Sequence, residues 1–291
     1  MKAFYRIVCG TAAVLISLGL LLGLIGFLMG GRPADLDDVL FPLHSSWRIG
    51  LFQGNRLRGN PLYGSDTIDI VYPGGITKLD FDLSCADVTI KTGENFKVEA
   101  RKINAKRFST EVDGDTWEME CDVRNVNNMS GDKAPTITIT VPKGFVAEEA
   151  ELNLSMGTLA IKDLAAKEST LEVGMGEMIV DGFSSGDCEL NIGMGNLELT
   201  GKITGQGQIQ CGMGSAELTL TGDPADYGFS VTVGMGSVEV NGEEISQDGL
   251  PPIGSEVVGG LGAEHSWNLN APNRFDIGCG MGSVEIAFRG N

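Results

Sequence analysis

Histidine is nearly missing from this chain: 291 residues contain two, His44 and His265. A histidine-ligated zinc centre or a histidine-based catalytic triad has almost nothing to draw on. Basic side chains are also scarce, with 21 Lys and Arg against 39 Asp and Glu and a formal charge of −18. Such a surface repels phosphate backbones and anionic headgroups, so nucleic acid is excluded as a partner. Aromatic residues make up 7% of the chain. No Cys-x-x-Cys occurs among the six cysteines at 9, 85, 121, 188, 211 and 279. An extracytoplasmic chain poor in pairable cysteines suits a bacterium from reducing or anaerobic surroundings. The Gly-x-Gly units lack the Gly or Gly-Lys-Ser/Thr that a phosphate loop needs. With 39 acids, no carboxylate pair stands out for glycoside cleavage. The composition argues against an enzyme.

What is abundant is glycine, 42 residues, and much of it repeats. Gly-Met-Gly occurs around Met175, Met194, Met213, Met235 and Met281, and a degenerate copy, Ser155-Met156-Gly157, precedes them. Met156, Met175, Met194 and Met213 are 19 residues apart, and the next gaps are 22 and 46. A fixed period marks one structural unit copied and stacked. Each copy has a short alternating run, the Gly-Met-Gly, and a second alternating run, which is strand periodicity. Four apolar columns align across the copies, for example Leu154, Val173, Ile192, Cys211, Val233 and Cys279.

One strand-corner-strand unit cannot bury its apolar face alone, whereas copies stacked about 4.8 Å apart can. The fold expected is all-β: a parallel β-solenoid, or β-helix, of about seven 19-residue coils. Residues 91–150 read as a hairpin-like insertion after the first coil, and 243–272 as a loop excursion. The last coil, Phe275–Phe288, is expected to close the stack, its phenylalanines capping the end. Read in chain order, Cys211 and Cys279 lie two coils apart, roughly 9.6 Å, too far to bridge.

Ahead of the solenoid, assigned to residues 66–291, lies an apolar run at Ile7–Met29, long enough to span a bilayer. It exceeds the apolar core of a signal peptide, and no small-x-small cleavage site or lipobox cysteine follows it. An uncleaved single-pass transmembrane helix over 7–29 is expected, with residues 1–6 as a cytoplasmic stub and 30–65 as a juxtamembrane linker. Lys2 and Arg6 place the amino terminus in the cytoplasm and the repeat domain outside the cell membrane. Without residues 1–32 the remainder holds 18 basic and 39 acidic residues, or −21.

Three features invite a functional reading. The column Met156, Met175, Met194, Met213, Met235 and Met281 offers soft thioethers for copper(I). No second soft ligand recurs beside it, so it reads as a structural corner in which each methionine packs on its copies. A stripe of Glu198, Glu217, Glu239 and Glu285 faces outward on successive coils. Solubility and protection of the sheet explain it, with Ca²⁺ as the one cofactor such a stripe could recruit. The 243–272 excursion, with His265 and Trp267, is the candidate contact loop, since long loops on rigid scaffolds often carry binding.

The Gly-Met-Gly-Ser-Val-Glu-Val units, Thr138-Ile139-Thr140-Val141-Pro142 and the amino-terminal anchor together resemble the bacterial putative-adhesin family of β-strand-repeat proteins of unknown function. The resemblance covers about residues 67–288. It implies an envelope-associated, non-enzymatic protein of Gram-positive type, with no established catalytic residues to carry over. Some such proteins sit in cell-envelope-stress operons. Two roles follow as expectations: an adhesin or envelope-interaction protein whose partner is an envelope protein or glycan, or a regulatory scaffold of a stress system bound to a membrane protein.

Overall fold

The computed structural model describes residues 63–84, 86–121, 135–240, 255–258 and 263–290. The apolar run 7–29, His44, most of the 30–65 linker and Cys85 lie outside them. Among the described residues the chain is all-β, with twenty strands and one short 3₁₀ turn at Pro224–Asp226.

Each regular coil places one strand in a first ladder and the next in a second ladder, with the Gly-Met-Gly corner, or its Ser155-Met156-Gly157 copy, between them. The regular coils are β8 (Val146–Leu154) with β9 (Gly157–Lys162), and β10 (Ala165–Val173) with the first half of β11 (Glu177–Ile192). They continue as the second half of β11 with β12 (Asn196–Ile203), then β13 (Gln206–Cys211) with β14 (Ser215–Thr221). Pairing is parallel and offset by one repeat: Ala165 meets Val146 on one side and Ser184 on the other. The four apolar columns point inward and are buried, as at Leu152, Leu171, Leu190 and Ile209. The 19-residue parallel solenoid expected from the repeat is what these registers show.

The ends depart from chain order. At one end β2 (Lys78–Leu83) and β3 (Ala86–Gly93) stack on β8 and β9. Outside them lies another parallel coil, β6 (Thr116–Cys121) with β7 (Thr136–Pro142). Residues 91–150 are therefore not simply a hairpin insertion; half of that material is a coil of the stack. Only β4 (Lys97–Ile103), against β7, and β5 (Phe108–Asp113), against β6, run antiparallel. A further strand, β1 (Tyr63–Val71), continues antiparallel on β4. The coil escaped the repeat because the stretch between Cys121 and Thr136 replaces the tight Gly-Met-Gly corner.

The other end mirrors this. The last coil in the chain, β19 (Asn273–Cys279) with β20 (Ser283–Arg289), intercalates between β13–β14 and the coil made before it, β15 (Tyr227–Val233) with β16 (Ser237–Val240). Antiparallel β18 (Ala263–Trp267) and β17 (Ser255–Val258) cover β15 and β16. Phe275 and Phe288 thus belong to the penultimate coil and do not cap an exposed end. Eight coils stack among the described residues, closed at both ends by antiparallel edges that do not match the parallel register of a further coil.

Aromatic side chains collect where the stack ends. Trp117, fully buried, lies 5.3 Å edge-on from Phe81, 6.0 Å from Phe96 and 5.1 Å from Tyr72. At the far end Phe229 stacks between Phe275 at 5.7 Å and Trp267 at 4.9 Å.

Candidate functional site

The corners define one edge of the molecule. Met175 N donates to Ser155 O at 2.9 Å, and Met194 N to Gly174 O at 2.7 Å. Met213 N, Met281 N and Met235 N then bond to Gly193 O, Gly212 O and Gly280 O. The methionines run in the spatial order 156, 175, 194, 213, 281, 235, because the last coil is intercalated. Stacking this close requires glycine: a Cβ on Gly176 would lie 2.7 Å from Gly157 O and 2.8 Å from Leu154 Cδ2. Among the corner glycines only Gly157 has a left-handed φ, 105°, so the glycines serve close approach more than a special bend. The methionine side chains project outward, and five of them are 49–66% exposed. They form an apolar ridge at the corner, not a buried packing column.

On the second ladder Glu198 pairs with Glu217, Glu217 with Glu285, and Glu285 with Glu239. The stripe is thus continuous in space, in an order the chain does not give. Among the described residues no three His, Cys, Asp or Glu side chains converge to hold a metal ion. The row itself sets one carboxylate per strand, facing outward.

His265 and Trp267 lie on the edge strand β18, opposite Val231 and Phe229. Trp267 is partly buried against the core through its stack on Phe229. That strand covers the end of the stack.

The outer face of the first ladder was not singled out from sequence. It carries a second acidic field: Asp80 and Asp82 on β2, Glu118 and Glu120 on β6, Glu151 on β8, Glu172 on β10 and Glu189 on β11. Burial, reinforced by Glu151, Asp82 and Glu189, pushes the Glu172 carboxyl up to about 7. Burial and then Glu151 also raise Asp80. Asn191, itself buried, donates to Glu189 at 2.8 Å.

Beside this field a groove of about 620 Å³ crosses six strands near their starts. Its polar lining includes Glu168, Asp187, Glu189, Gln206, Gln208 and Asp276, with Arg274 as the basic member and exposed Leu269 at one margin. Gly228 and Ser230 on β15 keep the neighbouring side chains short. Cys188 also lines it, but burial pushes its thiol up to about 12, so it presents no thiolate nucleophile near neutral pH. The groove offers carboxylates, amides and one guanidinium: hydrogen-bonding groups for a polar ligand, in a negative field. Glu149, Glu168, Asp187 and Gln206 sit 19 residues apart on successive coils, and Arg274 on the next coil follows 68 residues later, so no contiguous motif announces them.

One further contact corrects the sequence reading. Cys211 and Cys279 are direct partners on adjacent strands β13 and β19, not two coils apart. Cys211 Sγ donates toward Gly214 O at 3.3 Å and Ser283 O at 3.6 Å. The neighbouring Cys279 thiol, together with burial, holds Cys211 well above the ordinary thiol range. The neighbouring Cys211 thiol, with main-chain contacts from Ser237 and Gly282, draws Cys279 below it.

Comparison with known proteins places this geometry. Residues 76–219 match the family model described as Toastrack DUF4097. No curated protein matches the chain. Among solved structures, a putative cell adhesion protein from Clostridium sporogenes is similar at 17% identity and a TM-score of 0.39, covering 77% of this chain and 99% of that one. A putative adhesin from Bacteroides fragilis is similar at 11% identity and TM-score 0.35, over 76% of this chain and 97% of that one. One from Parabacteroides distasonis is similar at 12% and 0.32, over 77% and 97%. Likeness of this size transfers no function.

Proposed function

We propose, starting from the match of residues 76–219 to the Toastrack DUF4097 family model, a non-enzymatic, membrane-anchored extracytoplasmic solenoid that binds an envelope glycan, in the manner of an adhesin. The observation that carries this reading is the 620 Å³ groove across six strands. Its amides and carboxylates suit a polyhydroxylated ligand, since they both accept from and donate to hydroxyl groups. Its five acidic residues against Arg274 disfavour anionic polymers and select neutral or amino-bearing sugars. The stack around it is rigid and ends in antiparallel edges, so it presents the groove without growing into a fibre. The apolar run at 7–29, preceded by Lys2 and Arg6, is the anchor in this reading.

A glycan array probed with the purified domain tests the groove. Binding to neutral or amino sugars, reduced at least tenfold by Gln208→Ala combined with Asp276→Ala, is expected. Absence of binding to any glycan, with co-purification of a membrane sensor from crosslinked cells, would replace this reading with the regulatory scaffold. Protease shaving of intact cells tests the topology: the solenoid should be accessible from outside.

A further inference from the structure

The coil that enters the stack out of turn is also the coil that brings two thiols together. In the column that lines the corner, β11 contributes Ile192, β13 Cys211, β19 Cys279 and β15 Val233. The chain makes β15 before β19, yet β19 separates β15 from β13 in the stack. Were β15 directly on β13, Cys211 would face Val233. Only when β19 intercalates does thiol meet thiol.

The geometry fits a bond. Cys211 and Cys279 are register partners on adjacent parallel strands. Strands so paired lie about 4.8 Å apart, inside the Cα separation of about 4.4–6.8 Å that disulfides span. Both side chains point inward and are buried. Each sulfur lies over a corner glycine of the next coil, Cys211 Sγ over Gly282 and Cys279 Sγ over Gly236, where a Cβ would come within 2.7–2.8 Å. Cys188, also buried, faces Ser169 and Gly207 across the ladder.

We propose that Cys211 and Cys279 are an oxidative cross-linking site, forming a disulfide that locks the last coil into its intercalated place. The oxidant is a disulfide, R–S–S–R, either of low molecular weight or carried by an extracytoplasmic protein. Cys279 attacks as the thiolate and forms a mixed disulfide, releasing R–S⁻. Cys211 gives up its proton and its sulfur attacks Cys279 Sγ, releasing the second R–S⁻. Two protein thiols are oxidised and one donor disulfide is reduced to two thiols. Because the pair is buried once folded, exchange occurs as the coil docks. The site follows from the fold alone; the extracytoplasmic placement proposed above supplies the oxidant only in the cell.

The test is disulfide mapping of the full chain. Protein unfolded under reducing conditions is refolded in a mixture of reduced and oxidised glutathione, quenched with acid, blocked with N-ethylmaleimide, digested and analysed by mass spectrometry. A peptide joining Cys211 to Cys279 is expected as the dominant linkage. Adding reductant should then lower the thermal midpoint by about 5 °C, a shift absent from the Cys211→Ser/Cys279→Ser double variant. Refolded protein with both cysteines blocked by maleimide, or with linkages dominated by other cysteines, would overturn the proposal. Mapping the same peptide from acid-quenched cells separates the two readings. A link that forms on refolding but not in cells leaves the site standing and shows that the surroundings of the folded domain supply no oxidant.

Discussion

The four regular coils and the two ends of this solenoid are built by different means. In the middle, coils follow the chain at a 19-residue offset and small residues fill the wide column, Ala150, Ser169, Cys188 and Gly207 in succession. At the ends the same column holds Trp117 on one side and Phe275 and Phe229 on the other. There the chain also doubles back to insert a coil and lays antiparallel strands over the last one. A repeat specifies its own interior because every unit finds an identical neighbour. An end has no neighbour, so it needs bulk to close the core and strands of opposite direction to stop the register.

The largest break in this comparison comes from the central corners. Gly176→Val places a side chain against Gly157 O and Leu154, where backbone cannot yield without parting two coils. Loss of more than about 3 kcal/mol, read as a fall in the urea midpoint, is expected. Gly74→Ala is the control: it has nothing within 4 Å and no left-handed φ, and it should stay within about 0.5 kcal/mol. Equal effects at both positions would remove close stacking as the reason for the corner glycines.

Next in size is the aromatic closure. Trp117→Ala removes a fully buried ring that meets three other rings and donates through Nε1 to Thr110 Oγ1 at 3.0 Å. A cost of about 3–5 kcal/mol is expected from denaturant unfolding. Ser169→Ala, in the same column at the centre, should cost about 1 kcal/mol, since it gives up a buried hydrogen bond to Ser185. If the central substitution proved the more damaging, the ends would not be where bulk is needed.

How much of this could be read beforehand divides along the same line. The parallel coils and their inward columns were legible, because each rests on a pattern local to one repeat. Spatial order was not. Nothing local to Cys279 says that its neighbour is Cys211 and not Val233, and this single reordering moved the phenylalanines inward, closed the glutamate row and joined the thiols. The β6–β7 coil was hidden for a related reason: its strands alternate normally, but the Gly-Met-Gly corner that flags the later coils is absent. The groove could not be seen because its members come from six strands, each contributing one to three unremarkable residues.

A smaller effect tests the acidic face of the central coils by pH. Glu172 ionises near 4.5 in an unfolded chain and near 7 when folded. The folded state therefore holds this proton more tightly. The stabilisation is fully present below about pH 4.5 and is lost as pH rises through about 7. The groups facing it are Glu151 and Asn153 on β8, Glu189 and Asn191 on β11, and Asp82 beyond β8 on β2. Glu172→Gln should raise stability at pH 7.5 by about 1 kcal/mol, discounted for its partial exposure, and flatten the profile between pH 5 and 7. An unchanged pH profile of the thermal midpoint would show that the field is screened by solvent.

The smallest effect expected on folding belongs to the feature that recurs most often. Met194 sits at a central corner and is 54% exposed, and its main-chain bond to Gly174 O does not involve the side chain. Met194→Gln keeps the length and flexibility of the side chain while replacing the thioether with an amide. Stability should change by no more than about 0.5 kcal/mol. That separates methionine from the glycines on either side of it: the glycines hold the coils together, while the thioether faces solvent. If Met194→Gln instead lowered the urea midpoint as far as a core truncation does, the ridge would be packing, and the corner would need its methionine as much as its glycines. If the midpoint held, the same substitution at Met175, Met213 and Met281 together would keep the fold intact. Any loss of cell attachment in that variant would then belong to the exposed edge itself.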